Sequence, residues 1–172
     1  MAALWHDDQG APVRSKQDME LSSILKPEAV KVFAAASSKK RLFQEIAEVA
    51  HTAHGFEPQS TVEALMERES LGPTGVGHGV ALPHARLSGV DTVTGVFVML
   101  EKPMDFGSVD RQPVDIAFTL FAPEEAGVEH LKALALVSRT LREQPLCTKL
   151  RANLDPTKLY AILTEAQSVQ AA

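Results

Sequence analysis

One histidine is better placed for chemistry than any other side chain in this sequence. Residues 79–84 read Gly-Val-Ala-Leu-Pro-His, an apolar stretch that ends on His84. Pro83 fixes its own φ and restrains the residue before it to an extended conformation, so a stiff backbone presents the imidazole. A neutral imidazole is a competent nucleophile near pH 7. His84 is therefore a candidate nucleophile; the alternative is a histidine that only hydrogen-bonds a neighbouring loop.

The segment before this histidine contains four glycines, at positions 72, 75, 77 and 79. Glycine allows backbone conformations that side chains would exclude, and it leaves amide N–H groups accessible to an anion. The same composition is also typical of ordinary turns. The glycines therefore predict a turn-rich loop, and an anion site only if other residues supply charge.

Helices and strands must position this loop. An apolar helical face predicts a helix that is capped by Ser37 or Ser38 and ends at Gly55, and Pro58 begins a second helix. Strands are expected at residues 79–82, 93–100 and 114–121, and a weaker candidate lies at 30–33. Residues 128–142 predict a helix whose core row is Leu131, Leu134, Ala135, Ser138 and Leu141. Pro145 and Pro156 each begin a further short helix. Helices before, between and after strands indicate an α/β domain with both sheet faces covered.

Composition limits the classes of protein to consider. The 172 residues are 45% apolar and 23% charged, which is typical of one globular domain. Residues 1–18 lack periodicity and are expected to form a disordered tail before a domain spanning 19–172. No apolar run approaches the roughly 18–20 residues that a membrane span needs.

The charged residues and the cysteine narrow the partners and the compartment. The net charge of −5 argues against nucleic-acid binding, and the basic cluster 39–41 is expected to be a solvated helix start. The single cysteine, Cys147, is expected to be an inert, half-buried thiol in a reducing cytosol. His51 and His54 lie three residues apart, but no carboxylate or cysteine pattern completes a site, so no metal is expected.

A long motif surrounds His84. Glu67-Arg68-Glu69 followed by GPTGVGHGVALPHAR resembles the active-site signature of the type-2 EIIA domains of the bacterial phosphotransferase system. The stretches MELSSILKPEAV, FGSVDRQPVDIAFTLFAP and EHLKALALVSRTL resemble the same family, from residue 19 to about 164. The resemblance is greatest to the nitrogen-regulatory members, EIIA-Ntr. It implies a three-layer α/β/α sandwich around a mixed, roughly five-stranded sheet.

The resemblance also implies roles for individual residues. His84 matches the histidine that the family phosphorylates, and Arg68 matches an arginine whose guanidinium suits phosphate. From the residues alone, Arg68 could instead form an ion pair with Glu67 or Glu69. His130 matches the family's second active-site histidine; it falls in the first turn of its helix, where the dipole disfavours an imidazolium. The alternative for His130 is a histidine that faces water. Thr74 and the amides from Gly75 onward are expected to complete a phosphate cradle.

The function implied is that of a cytoplasmic phosphocarrier and regulator. A phosphorylated HPr-like protein (NPr) would donate the phosphoryl group, with no cofactor, nucleic acid or membrane insertion involved. Phosphorylation would then change binding to target proteins such as potassium-transport or sensor-kinase components. Two alternatives remain from the sequence. One is a fructose- or mannitol-type EIIA that passes phosphate to EIIB, and the other is an interaction module that does not turn over phosphate.

Overall fold

The computed structural model describes residues 19–125 and 127–171, with side chains up to residue 165. The predicted disordered tail, residues 1–18, lies outside this part. The helices are α1 (Leu21–Ile24), α2 (Lys39–His54), α3 (Pro58–Ser70), α4 (Val128–Leu141), α5 (Gln144–Arg151) and α6 (Pro156–Ala171). The strands are β1 (Leu25–Phe33), β2 (Gly75–Gly77), β3 (Val80–Ala81), β4 (His84–Leu87), β5 (Thr94–Met104) and β6 (Val114–Pro123). No helix in these ranges is long and apolar enough to cross a membrane.

The strands form one mixed sheet in the order β1-β5-β6-β3-β2, and β4 also pairs with β6. β1 lies parallel to β5, β5 is antiparallel to β6, and β3 and β4 both run parallel to β6. β5 and β6 are buried along most of their length, because helices cover both faces of the sheet. The α/β fold is therefore confirmed.

The structure has six strands where the sequence predicts about five. The strand expected at 79–82 pairs with β6 at Val80 and Ala81. Pro83 has no N–H to donate, so the pairing is interrupted there and resumes at His84 as a separate strand. The Pro83 carbonyl still accepts a hydrogen bond of 3.0 Å from the N–H of Leu120. His84 is therefore the first residue of β4, held on the central strand β6, rather than the end of a strand.

The two helices that precede the glycine loop follow their sequence signals. The Ser38 hydroxyl accepts a hydrogen bond from the N–H of Arg41 at 3.0 Å, and Gly55 ends α2 in the left-handed conformation with φ 77°. Pro58 is the first residue of α3, and the Glu57 carboxylate caps that helix by accepting from the next two free N–H groups. Both predictions are confirmed.

Two local predictions were wrong at particular residues. The buried face of α4 consists of His130, Ala133, Leu136, Val137, Thr140 and Leu141, whereas Leu131 is 65% exposed. The burial of His130 rotates the helix away from the predicted leucine row. The basic cluster 39–41 begins α2 as expected, and Lys40 and Arg41 are exposed. Lys39 is instead half-buried and forms an ion pair with Glu69 at 2.8 Å.

Candidate active site

The end of helix α3 brings a guanidinium against the imidazole of His84. Arg68 lies in the last turn of α3, and the Nη1–H group donates to the carbonyl oxygen of Gly72 at 3.0 Å. The Nε–H group of Arg68 donates to Nε2 of His84 at 3.2 Å. Within the described residues Arg68 forms no ion pair, and Glu69 pairs with Lys39 instead. The alternative of an Arg68 ion pair with Glu67 or Glu69 is therefore wrong.

The two hydrogen bonds of His84 define which ring nitrogen carries the proton. Nδ1 lies 2.9 Å from the carbonyl oxygen of Leu82, which can only accept, so Nδ1 carries the hydrogen. Nε2 faces the guanidinium of Arg68, which can only donate, so Nε2 carries the lone pair. The imidazole is held as one neutral tautomer whose nucleophilic atom is Nε2.

Helix α4 places a second histidine beside the first. His130 is the third residue of α4, in the first turn as predicted, and its ring centroid lies 5.5 Å from that of His84. The residue is 6% exposed, so the alternative of a histidine that faces water is wrong. Its Nδ1 atom is buried and has no hydrogen-bond partner among the described residues. Strands β5 and β6 lie between the two histidines' own elements in the chain, and only the fold brings the two rings together.

The surroundings of both histidines favour the neutral imidazole. Burial lowers the pKa of His84, and the positive charge of Arg68 lowers it further, against the Leu82 hydrogen bond, which raises it. Burial also lowers the pKa of His130, and the charges of His84 and Arg86 act in the same direction. Both rings are therefore neutral at pH 7, the form that can attack a phosphoryl group or hydrogen-bond one.

The glycine loop runs between Arg68 and His84, and it is tied down at its start. Thr74 donates from its N–H to Oε1 of Glu69 at 3.0 Å and from its hydroxyl to Oε2 at 2.5 Å. Gly75 is buried against Ser108: a Cβ atom there would lie 2.8 Å from the Ser108 Cβ atom. Binding of phosphate by Thr74 and Gly75 stays a prediction, since both donors of Thr74 are engaged by Glu69 in this structure.

Sequence reasoning missed the role of Glu69. Its residue type gives no warning, because a glutamate at a helix end is usually solvated. The available signal was its place between Arg68 and the glycine loop. Its side chain is 5% exposed and pairs with Lys39. The position of Glu69 in the motif was therefore a better guide to its burial than its charge.

Apolar side chains are exposed on the segments that carry the site residues. Leu71, three residues after Arg68, is 81% exposed, and Val76 in the glycine loop is 55% exposed. Val128 and Leu131, on either side of His130, are 63% and 65% exposed. Large apolar groups left in water next to a reactive side chain are typical of a surface that another protein covers.

His51, His54 and Cys147 have structural partners. Nδ1 of His51 lies 3.0 Å from the carbonyl oxygen of Phe56, and Nε2 of His54 lies 3.2 Å from that of Gly95. Cys147 is buried, and burial raises the pKa of its thiol, which disfavours the reactive thiolate. In the part of the chain that the structure covers, no three potential ligand side chains cluster as a metal site would require.

Comparisons with known proteins agree with this arrangement. Residues 23–166 match the family model "Phosphoenolpyruvate-dependent sugar phosphotransferase system, EIIA 2". The chain is 43% identical over 145 residues to a nitrogen regulatory protein of Bradyrhizobium diazoefficiens, covering 84% of this chain and 95% of that one. The nitrogen regulatory protein of Escherichia coli K12 is 39% identical over 151 residues, 87% of this chain and 92% of that one.

A solved structure is similar as well. The crystal structure of nitrogen regulatory protein IIA-Ntr from Neisseria meningitidis superposes with a TM-score of 0.78 at 33% identity. The match covers 84% of this chain and 99% of the other. Sequence and fold therefore point to the same group of proteins.

Proposed function

The chain belongs to the EIIA type 2 family of the phosphoenolpyruvate-dependent phosphotransferase system, and we propose that it is a nitrogen-regulatory phosphocarrier that accepts a phosphoryl group on Nε2 of His84. The observation that carries this proposal is the hydrogen bonding of His84. Its Nδ1–H group is engaged by the Leu82 carbonyl, and its Nε2 lone pair faces Arg68 at the protein surface. A nucleophile with its lone pair beside a guanidinium suits attack on an anionic group.

The transfer is an in-line exchange between two histidines. The donor is a phosphohistidine of an HPr-like carrier such as NPr. The Nε2 lone pair of His84 forms a new P–N bond while the donor's P–N bond breaks, and the donor imidazole leaves with that electron pair. The attacking Nε2 atom of His84 carries no proton, so no separate base is required to remove one. Catalysis is therefore positioning together with charge stabilisation.

Arg68 and His130 supply that stabilisation. A guanidinium can donate two parallel hydrogen bonds to phosphoryl oxygens. The His130 ring, 5.5 Å from His84 between centroids, is close enough for a ring N–H to reach the same group. Its pKa is lowered by burial, so it acts as a neutral donor. The exposed apolar residues around the site, Leu71 and Leu131 among them, support docking of the carrier protein.

Phosphoryl incorporation tests this function. The full chain is incubated with phosphoenolpyruvate, the general phosphotransferase enzyme and the HPr-like carrier, and the label is followed. His84→Ala is expected to abolish an acid-labile, base-stable label. His78→Ala is the matched control, because His78 is exposed in the same loop and its hydrogen bonds within the described structure are made by its backbone: its N–H donates to Asp110 at 2.9 Å and its carbonyl oxygen accepts from Arg151 at 2.9 Å. Label that survives His84→Ala contradicts the proposal.

The nitrogen-regulatory role is favoured over sugar transport by the names and the identities of the relatives, 37–43% for five nitrogen regulatory proteins. Phosphorylation adds about −1.5 to −2 charges at one surface position, which is enough to change binding of a target protein. The targets would be cytoplasmic regulatory proteins, such as potassium-transport or sensor-kinase components. A pull-down that compares His84→Ala with His84→Asp tests this regulation. Rapid transfer of the label to an EIIB domain would favour the sugar-transport alternative.

A further inference from the structure

Glu69 is a buried carboxylate whose two oxygens are both occupied. Oε1 accepts hydrogen bonds from the Nζ group of Lys39 at 2.8 Å and from the N–H of Thr74 at 3.0 Å. Oε2 accepts the Thr74 hydroxyl at 2.5 Å. Lys39 in turn lies over the ring of Phe106, 4.3 Å from its centroid. A buried carboxylate is tolerated only with such compensation, so these three donors hold one geometry.

This cluster is connected to both partners of the Arg68–His84 hydrogen bond. On one side, Glu69 is the residue after Arg68, and its carbonyl oxygen accepts from the N–H of Gly72 at 3.2 Å, which closes the end of α3. On the other side, the carbonyl oxygen of Thr74 accepts from the N–H of Leu82 at 2.9 Å. The Leu82 carbonyl then accepts from Nδ1–H of His84 at 2.9 Å.

The ion pair between Glu69 and Lys39 also affects Arg68. Glu67 and Glu69 both adjoin Arg68 in the chain, and an ion pair with either would neutralise its guanidinium. Lys39, at the start of α2, takes the Glu69 charge instead. Glu67 is exposed, and its carboxylate has no hydrogen bond or ion pair within the described structure. The Arg68 guanidinium is thereby left with a neutral ring and a carbonyl as its partners.

We propose that Glu69, neutralised by Lys39, is a positioning residue for phosphoryl transfer: it fixes the glycine loop to helix α3 and so sets the His84 tautomer and the direction of Arg68. The kinetic consequence of this proposal rests on the proposed function, whereas its effect on the His84 ring does not. Glu69 touches neither the ring nor a phosphoryl group and acts only through Thr74, Leu82 and Arg68.

Glu69→Gln tests the proposal, with Glu67→Gln as the matched control on the other side of Arg68. Glu69→Gln is expected to lower the transfer rate at saturating donor about tenfold or more, with the KM for the donor within about twofold, since ångström-scale misplacement costs on that order. Glu67→Gln is expected to leave the rate unchanged. Melting temperatures of both variants are recorded alongside.

The ring of His84 gives a readout that a purely structural role would not move. Nitrogen-15 spectra of the wild-type ring are expected to show a slowly exchanging Nδ1–H and an unprotonated Nε2. In Glu69→Gln the Nδ1–H exchange should quicken and the two nitrogen shifts should converge, as the tautomers mix. In Glu67→Gln they should remain as in the wild type. An unchanged ring spectrum or an unchanged rate in Glu69→Gln overturns the proposal.

A second pair of variants tests the proposal if the Glu69→Gln chain does not fold. Thr74→Val removes the hydroxyl that Glu69 accepts, and Thr119→Val removes a buried hydroxyl with no partner in the described residues. Thr74→Val is expected to reproduce both the slower transfer and the changed His84 ring spectrum, whereas Thr119→Val is expected to show neither. Equal behaviour of the two variants overturns the proposal. If the wild-type chain takes up no phosphate, the proposed function fails and the ring spectrum alone decides this inference.

Discussion

The Nε–H group of Arg68 donates a hydrogen bond to Nε2 of His84 at 3.2 Å, so the guanidinium covers the lone pair of that ring nitrogen. The proposed transfer to His84 would therefore require the Arg68 head group to move aside first. Its second hydrogen bond, from Nη1 to the carbonyl oxygen of Gly72 at 3.0 Å, can act as the pivot. After such a movement the same guanidinium would face the phosphoryl oxygens. Together with the Leu82 hydrogen bond, this contact holds the His84 ring in one tautomer.

Replacing Arg68 separates charge from geometry. Arg68→Ala is expected to slow transfer roughly ten- to a hundredfold, because the loss of one charge-assisted contact costs about 1.5–3 kcal/mol. Arg68→Lys should recover only part of the rate, since an ammonium cannot form two parallel hydrogen bonds. Stopped-flow or quench-flow transfer assays measure the rates. A large fall in melting temperature with a normal transfer rate would assign Arg68 a structural role instead.

Stability should depend on pH through the buried histidines. The pKa values of His84 and His130 are lowered in the folded chain, chiefly by burial, whereas the unfolded chain binds protons near pH 6.5. Below that pH the unfolded state binds more protons. The stability that these two histidines contribute is therefore fully present above about pH 6.5 and is lost as pH falls through their lowered pKa values. Thermal melts from pH 7.5 to pH 5 measure the loss. His130→Gln should show a smaller loss, and an equal one would contradict the assignment.

Gly75 is predicted to be intolerant of any side chain for steric reasons. A Cβ atom would lie 2.8 Å from the Cβ and 3.0 Å from the Cα of Ser108, closer than such atoms pack. Gly75→Ala should therefore cost about 1–3 kcal/mol of stability. Ser108→Gly in the same chain should restore part of it. Gly127→Ala is the control, because φ is −92° there and nothing lies within 4 Å; equal costs for the two alanines would disprove the clash.

Thr119 offers a route to higher stability. Its hydroxyl is buried in β6 and has no hydrogen-bond partner in the residues that the structure describes. Thr119→Val keeps the shape and removes an uncompensated polar group, so the chain should gain about 1 kcal/mol, a rise of roughly 2–4 °C in melting temperature. Thr140→Val should instead lose stability, since the Thr140 hydroxyl donates to the Leu136 carbonyl at 2.8 Å. Calorimetry of both variants measures the difference, and a destabilised Thr119→Val would show that its hydroxyl has a partner.

Much of the fold was readable because its signals are local. Ser38, Gly55 and Pro58 mark helix ends through their own backbone preferences: α2 begins and ends, and α3 begins, where these residues predict. The break at Pro83 was harder to interpret. A missing N–H interrupts pairing with β6, but only the neighbouring strand shows that pairing resumes at His84.

The face of helix α4 shows why the burial prediction failed. The leucine row predicted to be core leaves Leu131 65% exposed, and the helix instead buries the face that carries His130. Hydrophobicity alone does not reveal which side of a mixed helix meets the sheet, because that depends on what lies beneath each residue. The burial of Lys39 could not be predicted for the same reason, because its carboxylate partner, Glu69, is 30 residues away in the chain.

By itself the sequence determined the α/β class, the helices that flank the glycine loop and the histidine presented after Pro83, since these depend on residue type and near neighbours. The tertiary structure decided that His130 lies beside His84, that Arg68 faces a ring nitrogen rather than a carboxylate, and that Glu69 is neutralised by Lys39. Each of these is a contact between distant segments. Such contacts depend on how α2, α3 and α4 pack on the strands, which spacing along one chain does not specify.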